Sequence, residues 1–138
     1  MSKMKKDYTA PALEKGLDIL ELLAVSPIGL SQAEIATKLK RSVNEIYRML
    51  NILVKRNYVE LDQRTDKFLI TYKLLEISSH HQPIKYLMQK ALPIMREVAQ
   101  LCNHSLHLSI YYAGKLLVIG QVDSPSAFNY SVSVGSTF

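Results

Sequence analysis

Five polar side chains recur at helical spacing in the first half of the chain. They are Asn44, Tyr47, Arg48, Asn51 and Lys55, which form one stripe on a helix of about 3.6 residues per turn. Asparagine and arginine can hydrogen-bond to base edges in the major groove, and tyrosine and lysine can reach phosphates. The stripe therefore predicts a recognition helix that contacts double-stranded DNA. The alternative is the solvated face of an ordinary core helix.

The residues just before this stripe add to the candidate DNA contacts. Arg41 precedes the helix, and Ser42 and Glu45 lie at its start. Glu45 has two possible roles: it can cap the helix together with Ser42, or it can accept a hydrogen bond from a cytosine amine. Segment 38–56 has six basic residues against this one acidic residue, a charge balance that favours a polyanionic partner.

Two capping boxes predict the helices that position these residues. Ser31 and Glu34 form the first box, and Ser42 and Glu45 form the second. The first box predicts a helix that runs to about Leu39, and the second a helix that ends near Asn57. Because only Lys40 and Arg41 separate the two helices, they must cross, as in a helix-turn-helix. Ser31 and Gln32, at the start of the earlier helix, are candidate DNA contacts through its free amides.

Apolar residues predict the buried faces of the helices. A first helix begins at Pro11, a residue suited to a first turn. Its predicted buried face consists of Leu13, Leu17, Leu20 and either Leu23 or Ala24. The predicted buried face of the recognition helix consists of Val43, Ile46, Leu50 and Leu53. Both sets have the spacing of an amphipathic helix.

A hairpin is predicted after the recognition helix. Residues 58–61 and 67–70 are short strand-like runs, and the polar turn 62–66 joins them. This hairpin has the size and position of the wing of a winged helix-turn-helix. Arg64 and Lys67 are its candidate contacts to the DNA backbone or minor groove, with solvated charges as the alternative.

The second half predicts a smaller helix-and-sheet region. Residues 72–79 indicate a linker helix, and a second helix follows Pro83, with Pro93 expected to kink or divide it. Alternation over 105–110 and an apolar run over 115–120 predict two strands, and 128–134 a possible third. We therefore predict an α+β fold with a winged helix-turn-helix over 1–75 and a second region over 76–138.

Several classes of protein are excluded by the sequence. Cys102, His104 and His107, with His80 and His81 upstream, lack metal-ligand spacing, so no metal site is predicted. No phosphate loop, carboxylate pair or nucleophile group is present, so we expect neither a cofactor nor an enzyme. Because no signal peptide or apolar membrane span is visible, we expect a cytoplasmic protein without a membrane partner.

Three sequence blocks resemble one family of regulators. Residues 11–17, 30–36 and 46–50 resemble the DNA-binding domain of the IclR family of bacterial transcription regulators in residue type, order and spacing. Further blocks at 101–108, 115–118 and 122–125 look like the opening of that family's effector-binding domain. The resemblance covers roughly residues 8–138.

The resemblance implies more than the residues alone do. It implies a homodimer or dimer of dimers on a palindromic operator, with DNA affinity altered by a small-molecule effector such as an organic acid. It also implies that 76–138 hold a linker helix and a truncated antiparallel sheet, because a family member continues beyond Phe138 with most of its effector pocket. Glu45 replaces a small hydroxylated residue of the family, and Thr71 and Ser78 replace glycines.

Two alternative functions belong to other classes. A winged helix can pair with another protein, and exposed strand edges in the second half would invite such association. Alternatively, the chain could be an effector-sensing fragment without specific DNA binding. Only a specific DNA-binding regulator predicts both a steep salt dependence and a large preference for one duplex sequence.

Overall fold

The protein divides into two compact units, and the boundary along the chain lies between Ile77 and Ser78. The structure, a computed structural model, describes residues 9–126 and 132–138. The first unit contains α1 (Pro11–Ala24), α2 (Gln32–Leu39), α3 (Val43–Lys55), β1 (Val59–Asp62) and β2 (Lys67–Ile70). Helix α4 (Lys73–Ser79) includes the junction, and the second unit continues with α5 (Gln82–Cys102), β3 (Leu106–Tyr112) and β4 (Lys115–Val122). The predicted α+β class is confirmed.

Local signals in the sequence define the ends of the first three helices. Pro11 occupies the first position of α1, where its missing N–H costs no hydrogen bond. Ser31 and Ser42 are the N-caps of α2 and α3, and both predicted capping boxes are present. Helix α2 ends at Lys40, which adopts a left-handed conformation with φ of 52°. The following turn reverses the chain within two residues and lets α3 cross α2.

Nine buried apolar side chains form the core of the first unit. They come from α1, α2, α3, β1 and the segment before α2: Ile19, Leu23, Leu30, Ile35, Ala36, Ile46, Leu50, Leu53 and Val59. Helix α3 contacts α1, α2 and β1, so its apolar side is enclosed while its polar side faces solvent. This packing fixes the orientation of the polar stripe.

The predicted buried face of α1 is wrong at its N-terminal end. Leu13 and Leu17 are 63% and 48% exposed, whereas Ile19 and Leu23 are buried. The C-terminal half of α1 therefore carries its core contacts. Leu13 and Leu17 instead line an apolar groove of about 640 Å³ between α1, α3 and α4, together with Leu74.

Val43 is also exposed, by 49%, which contradicts its predicted place in the buried face of α3. Val43 is the first residue of that helix, and the core packs against the following turns. Ile46, Leu50 and Leu53 of the same predicted face are buried as expected.

An isolated β-bridge joins the hairpin to the segment just before α2. Strands β1 and β2 are antiparallel, with Glu60 opposite Leu69. Leu30 exchanges two backbone hydrogen bonds of 3.1 and 2.8 Å with Phe68 on β2. Gly29 precedes this bridge with φ of 68°, and a Cβ there would lie 2.7 Å from the Phe68 carbonyl oxygen. Only glycine fits this close approach without a shift of the backbone.

The second unit packs one long helix against a hairpin. Helix α5 is continuous through Pro93. Of the two predicted effects of Pro93, a kink or a division, the division is therefore wrong. Strands β3 and β4 are antiparallel, with an irregular register between Leu108 and Ser109. Met88 of α5 packs so closely on Gly120 of β4 that a Cβ there would clash.

The last residues of the chain extend this small sheet. Phe138 exchanges hydrogen bonds of 2.9 and 3.0 Å with Leu116, and the Val118 amide donates to the Ser136 carbonyl at 2.9 Å. The predicted third strand covered 128–134, of which 128–131 lie outside the described residues. The observed pairing on β4 is made by residues further along the chain. Among the helices of the described residues, none has the length and hydropathy needed to cross a membrane.

Candidate nucleic-acid interface

The polar stripe of α3 lies on the surface of the first unit. Asn44, Tyr47, Arg48, Asn51 and Lys55 are all exposed, and the buried residues of the same helix lie on its other side. A helix anchored on one side and polar on the other can enter the major groove of DNA without losing its core. The structure thus brings together the five residues that the sequence placed on one stripe.

A shallow concavity of about 460 Å³ lies at the start of this surface. It is lined by Asn44, Glu45, Tyr47 and Arg48. Arg48 forms no ion pair with any of the described residues. Its guanidinium is therefore free to bind an anion or a base edge.

Glu45 forms the helix cap and an ion pair at the same time. Its Oε2 accepts hydrogen bonds from the Ser42 amide at 3.2 Å and from the Ser42 hydroxyl at 2.9 Å. Its Oε1 accepts a hydrogen bond from Lys15 Nζ on α1. Lys15, followed by Ser42, lowers the pKa of the Glu45 carboxyl to about 2. Both carboxylate oxygens are thus bonded within the protein.

Arg41 and Ser42 lie directly before α3. Arg41 is exposed, and its Nη2 lies 3.7 Å from Asp18 Oδ2 on α1. Ser42 is exposed, but its hydroxyl belongs to the capping box. Of these two residues, Arg41 keeps N–H donors for a ligand outside the protein, because a pair at this distance near the surface is weak.

Ser31 and Gln32 lie at the start of α2 and are partly buried. The Ser31 hydroxyl donates to Glu34 Oε2 at 2.9 Å, and the Gln32 side-chain amide donates to the Val43 carbonyl at 3.1 Å. The Gln32 contact connects the starts of α2 and α3. In this geometry the Ser31 side chain caps α2 and the Gln32 side chain joins α2 to α3. The backbone amides of α2 remain the groups that could bind a phosphate.

The two predicted wing contacts differ in exposure. The Arg64 side chain is 90% exposed, with Nε 3.7 Å from Asp62 Oδ1, and Lys67 is partly buried at the start of β2. Asp62 shapes the turn by accepting hydrogen bonds of 2.9 Å from the Arg64 amide and the Thr65 hydroxyl. The Arg64 amide is the largest of the contacts that lower the pKa of the Asp62 carboxyl.

Sequence reasoning missed two residues of this region, Lys15 and Asp18 on α1. Both contact the start of α3, although Lys15 and Glu45 are 30 positions apart in the chain. No local pattern indicates such a pairing. Opposite charges on two helices that each have a predicted buried face were the only available signal.

The predicted absence of a metal site concerns residues in the second unit. Cys102 is exposed, and the His104 ring Nδ1 lies 2.6 Å from the Cys102 carbonyl oxygen. Within residues 9–126 and 132–138, no group of three or more His, Cys, Asp or Glu side chains is arranged to hold a metal ion.

Comparison with known proteins finds several that are similar in sequence to this chain. Residues 12–63 match the family described as the IclR helix-turn-helix domain. The transcriptional regulator BhcR of Paracoccus denitrificans is 28% identical over 113 residues, which are 82% of this chain and 40% of BhcR. The transcriptional repressor AllR of Escherichia coli is 24% identical over 92% of this chain and 47% of AllR. The chain thus spans less than half the length of these two relatives.

Solved structures share the fold at lower identity. An IclR transcriptional regulator from Alicyclobacillus acidocaldarius matches with a TM-score of 0.71 and 21% identity, over 95% of this chain and 54% of that one. An IclR homologue from Microbacterium hydrocarbonoxydans, complexed with 4-hydroxybenzoate, matches with a TM-score of 0.75 and 18% identity, over 92% and 52% of the two chains. The matched domain contains α1, α2, α3 and β1. Residues 12–63 of the protein therefore match the helix-turn-helix domain of the IclR family of transcription regulators.

Proposed function

We propose that the protein is a transcription regulator that binds double-stranded DNA in a sequence-specific manner through α3. The observation that carries the proposal is the exposed face of Asn44, Tyr47, Arg48, Asn51 and Lys55 on a helix whose other side is anchored in the core. Side chains on a helix fixed in this way can be held in register with base edges. The names of BhcR and AllR as regulators support the same function.

Contacts to the DNA backbone would come from three places around α3. Arg41 precedes the helix, Arg64 is exposed in the wing, and the amides at the start of α2 lie beside Ser31. Phosphate contacts position a protein on DNA, whereas base contacts give specificity. We therefore assign positioning to these groups and base reading to Asn44 and Asn51.

We also propose that the protein acts as a homodimer or a dimer of dimers in the cytoplasm. The family resemblance implies this assembly, and the apolar groove that includes Leu13 and Leu17 supports it. Apolar surface of this kind is typical of an interaction site, and a second copy of the chain would bring a second recognition helix to a palindromic site. Sedimentation of the wild type and of Leu17→Glu tests this: we expect the variant to be monomeric at concentrations where the wild type is dimeric. An unchanged dimer would contradict the role of the groove.

A small-molecule effector is the last part of the proposal. The resemblance implies an effector-binding domain, and one structural neighbour is complexed with the aromatic acid 4-hydroxybenzoate. We propose that an organic acid changes the DNA affinity of the complete regulator. Titration of the protein–DNA complex with a panel of aromatic and aliphatic acids should then reveal one that shifts the duplex Kd.

Enrichment of bound duplexes from a random pool, followed by a salt series, tests DNA binding itself. We expect the enriched duplex to bind at least about a thousand times more tightly than random duplex of equal length. Both affinities should fall steeply with salt. Asn51→Ala should reduce the preference for the enriched duplex, and Gln89→Ala, an exposed amide on α5, should leave it unchanged.

The same series separates the two alternative functions. A protein-interaction module would bind duplex weakly, without enrichment of any sequence. An effector-sensing fragment would bind a small molecule but show no preference between duplexes. Either result would refute the proposed function.

A further inference from the structure

Two ion pairs of opposite polarity connect α1 to the start of α3. Lys15 contacts Glu45, and Asp18 lies 3.7 Å from Arg41. Lys15 and Asp18 are three positions apart, so they share one face of α1. Arg41 and Glu45 lie on either side of the N-cap Ser42. The charged face of α1 thus contacts both sides of the N-cap of α3.

The contact between Lys15 and Glu45 is the closer of the two. The side chain of Lys15 is 18% exposed, while that of Glu45 is 41% exposed, similar to both side chains of the other pair. Weak screening by solvent makes a partly buried pair stronger than an exposed one. Lys15 is therefore the main electrostatic partner of the first turn of α3.

The earlier helix provides an internal comparison. Glu34 forms the same capping box with Ser31, and among the described residues it has no ion pair within 4.0 Å. A capping box in this protein therefore forms without a lysine in contact with its glutamate, although Lys67 and Lys38 act on Glu34 from further away. Lys15 must contribute something other than the cap, namely a fixed position and a neutralised charge for Glu45.

The neutralised charge matters because of where Glu45 lies. Its side chain lines the same concavity as Asn44, Tyr47 and Arg48, the residues proposed to approach DNA. A free carboxylate there would repel phosphates and compete with them for Arg48. With its oxygens bonded to Ser42 and Lys15, the carboxylate is held in the helix cap and its charge is compensated by Lys15.

We propose that Lys15 is a positioning residue of the DNA interface, which acts through Glu45 by holding its carboxylate in the helix cap and away from the phosphates. Glu45 then reads no base. This inference rests on the proposed DNA-binding function.

A double-mutant cycle tests the inference. We would measure Kd for the enriched duplex and a random duplex with the wild type, Lys15→Met, Glu45→Gln and the double variant. Lys15→Met should weaken binding to both duplexes by about fivefold, because residues in one charge network are coupled. The same substitution should have less than about a twofold effect in the Glu45→Gln background. Lys85→Met removes an equal charge from exposed α5 and should change neither Kd.

Further measurements separate positioning from direct contact. If Lys15 touched a phosphate itself, the salt slope of the double variant would be about 0.9 smaller than that of Glu45→Gln. Lys15→Met would then weaken binding equally in the wild type and in Glu45→Gln. Either result would overturn the inference. Carbon-detected NMR of the Glu45 carboxyl should show its pKa, about 2 in the wild type, rising in Lys15→Met and staying low in Lys15→Arg.

The single variant Glu45→Gln covers the case in which Lys15→Met does not fold. It should change the affinity for both duplexes by the same factor, because a Glu45 side chain held in the cap contacts no base in either duplex. A loss confined to the enriched duplex would show that Glu45 reads a base and would overturn the inference. If the wild type bound no duplex at all, the proposed function itself would fail.

Discussion

Glu34 and Glu45 form the same kind of capping box, but their surroundings differ. Glu34 and Glu45 both accept hydrogen bonds from an N-cap serine, and these bonds lower the pKa of each carboxyl. Lys15 adds a second helix to the partners of Glu45 alone. The capping role was one of two that the sequence allowed for Glu45, and the observed geometry favours it.

The low pKa of Glu45 predicts how stability depends on pH. The carboxyl has an ordinary value of 4.5 and a folded value of about 2, so the unfolded state takes up a proton first as pH falls. The stabilisation by Glu45 is therefore complete above pH 4.5 and lost progressively as pH falls through 2.

Urea unfolding of the wild type and Glu45→Gln at several pH values checks this. We expect the wild type to be the more stable at pH 6, and the difference in unfolding free energy to shrink between pH 4.5 and 2. A difference that stays constant over this range would contradict the ion pair and the cap as its source.

Arg48 is a cation of the α3 surface that forms no ion pair with any described residue, and we expect it to bind a phosphate. It lies a full turn into the helix, beyond the residues of the first turn that reach deepest into the groove. Arg48→Ala should weaken binding to enriched and random duplexes alike and lower the salt slope by about 0.9. Arg96→Ala, on the exposed side of α5, is the matched control. A loss confined to one base position would assign Arg48 to base reading instead.

At the scale of helices and strands, the sequence predicted the order of elements because their ends are set by nearby residues. Serine–glutamate pairs and prolines act within one turn, so the starts of α1, α2 and α3 were predictable. The choice of buried face on α1 was not, because it depends on where the other elements of the unit pack. Leu13 and Leu17 have the same apolar character as Leu23 but lie along the groove.

The two ends of α1 should respond differently to the same substitution. Leu23→Ala removes a side chain that is 1% exposed and should cost about 2–5 kcal/mol of unfolding free energy. Leu13→Ala, at 63% exposed, should change it by less than about 0.5 kcal/mol in the monomer. Chemical denaturation at low protein concentration measures both. Equal losses would show that the N-terminal half of α1 belongs to the core after all.

At the scale of the whole molecule, the candidate site lies within the first unit, and the contacts that complete it are long-range. The five residues of the α3 stripe were predictable from helical periodicity, because they share one element. The link from Lys15 to Glu45 was not, because it depends on how α1 crosses α3 in three dimensions. Helical periodicity therefore identifies the polar surface of α3, whereas the contact between Lys15 and Glu45 is visible only in the structure.

The two units should also differ in stability. All nine residues of the core cluster lie in the first unit, whereas the described part of the second unit buries only Ala99 and Val118 among its apolar side chains. Its sheet consists of β3, β4 and the few residues near Phe138 that pair with β4. So small a sheet buries too little apolar surface to offset the entropy of ordering the chain.

Native-state hydrogen exchange of the dilute monomer tests this difference. The amides of β3 and β4 should exchange through local opening, at a free energy well below that for α3, whose amides should open only with the whole first unit. Because a partner that covered the second unit would raise its protection, the exchange should be repeated at increasing protein concentration, where we expect β3 and β4 to become slower. Equal protection of β4 and α3 at the lowest concentration would mean that the second unit is stable by itself, and that its exposed strands need no further chain to complete them.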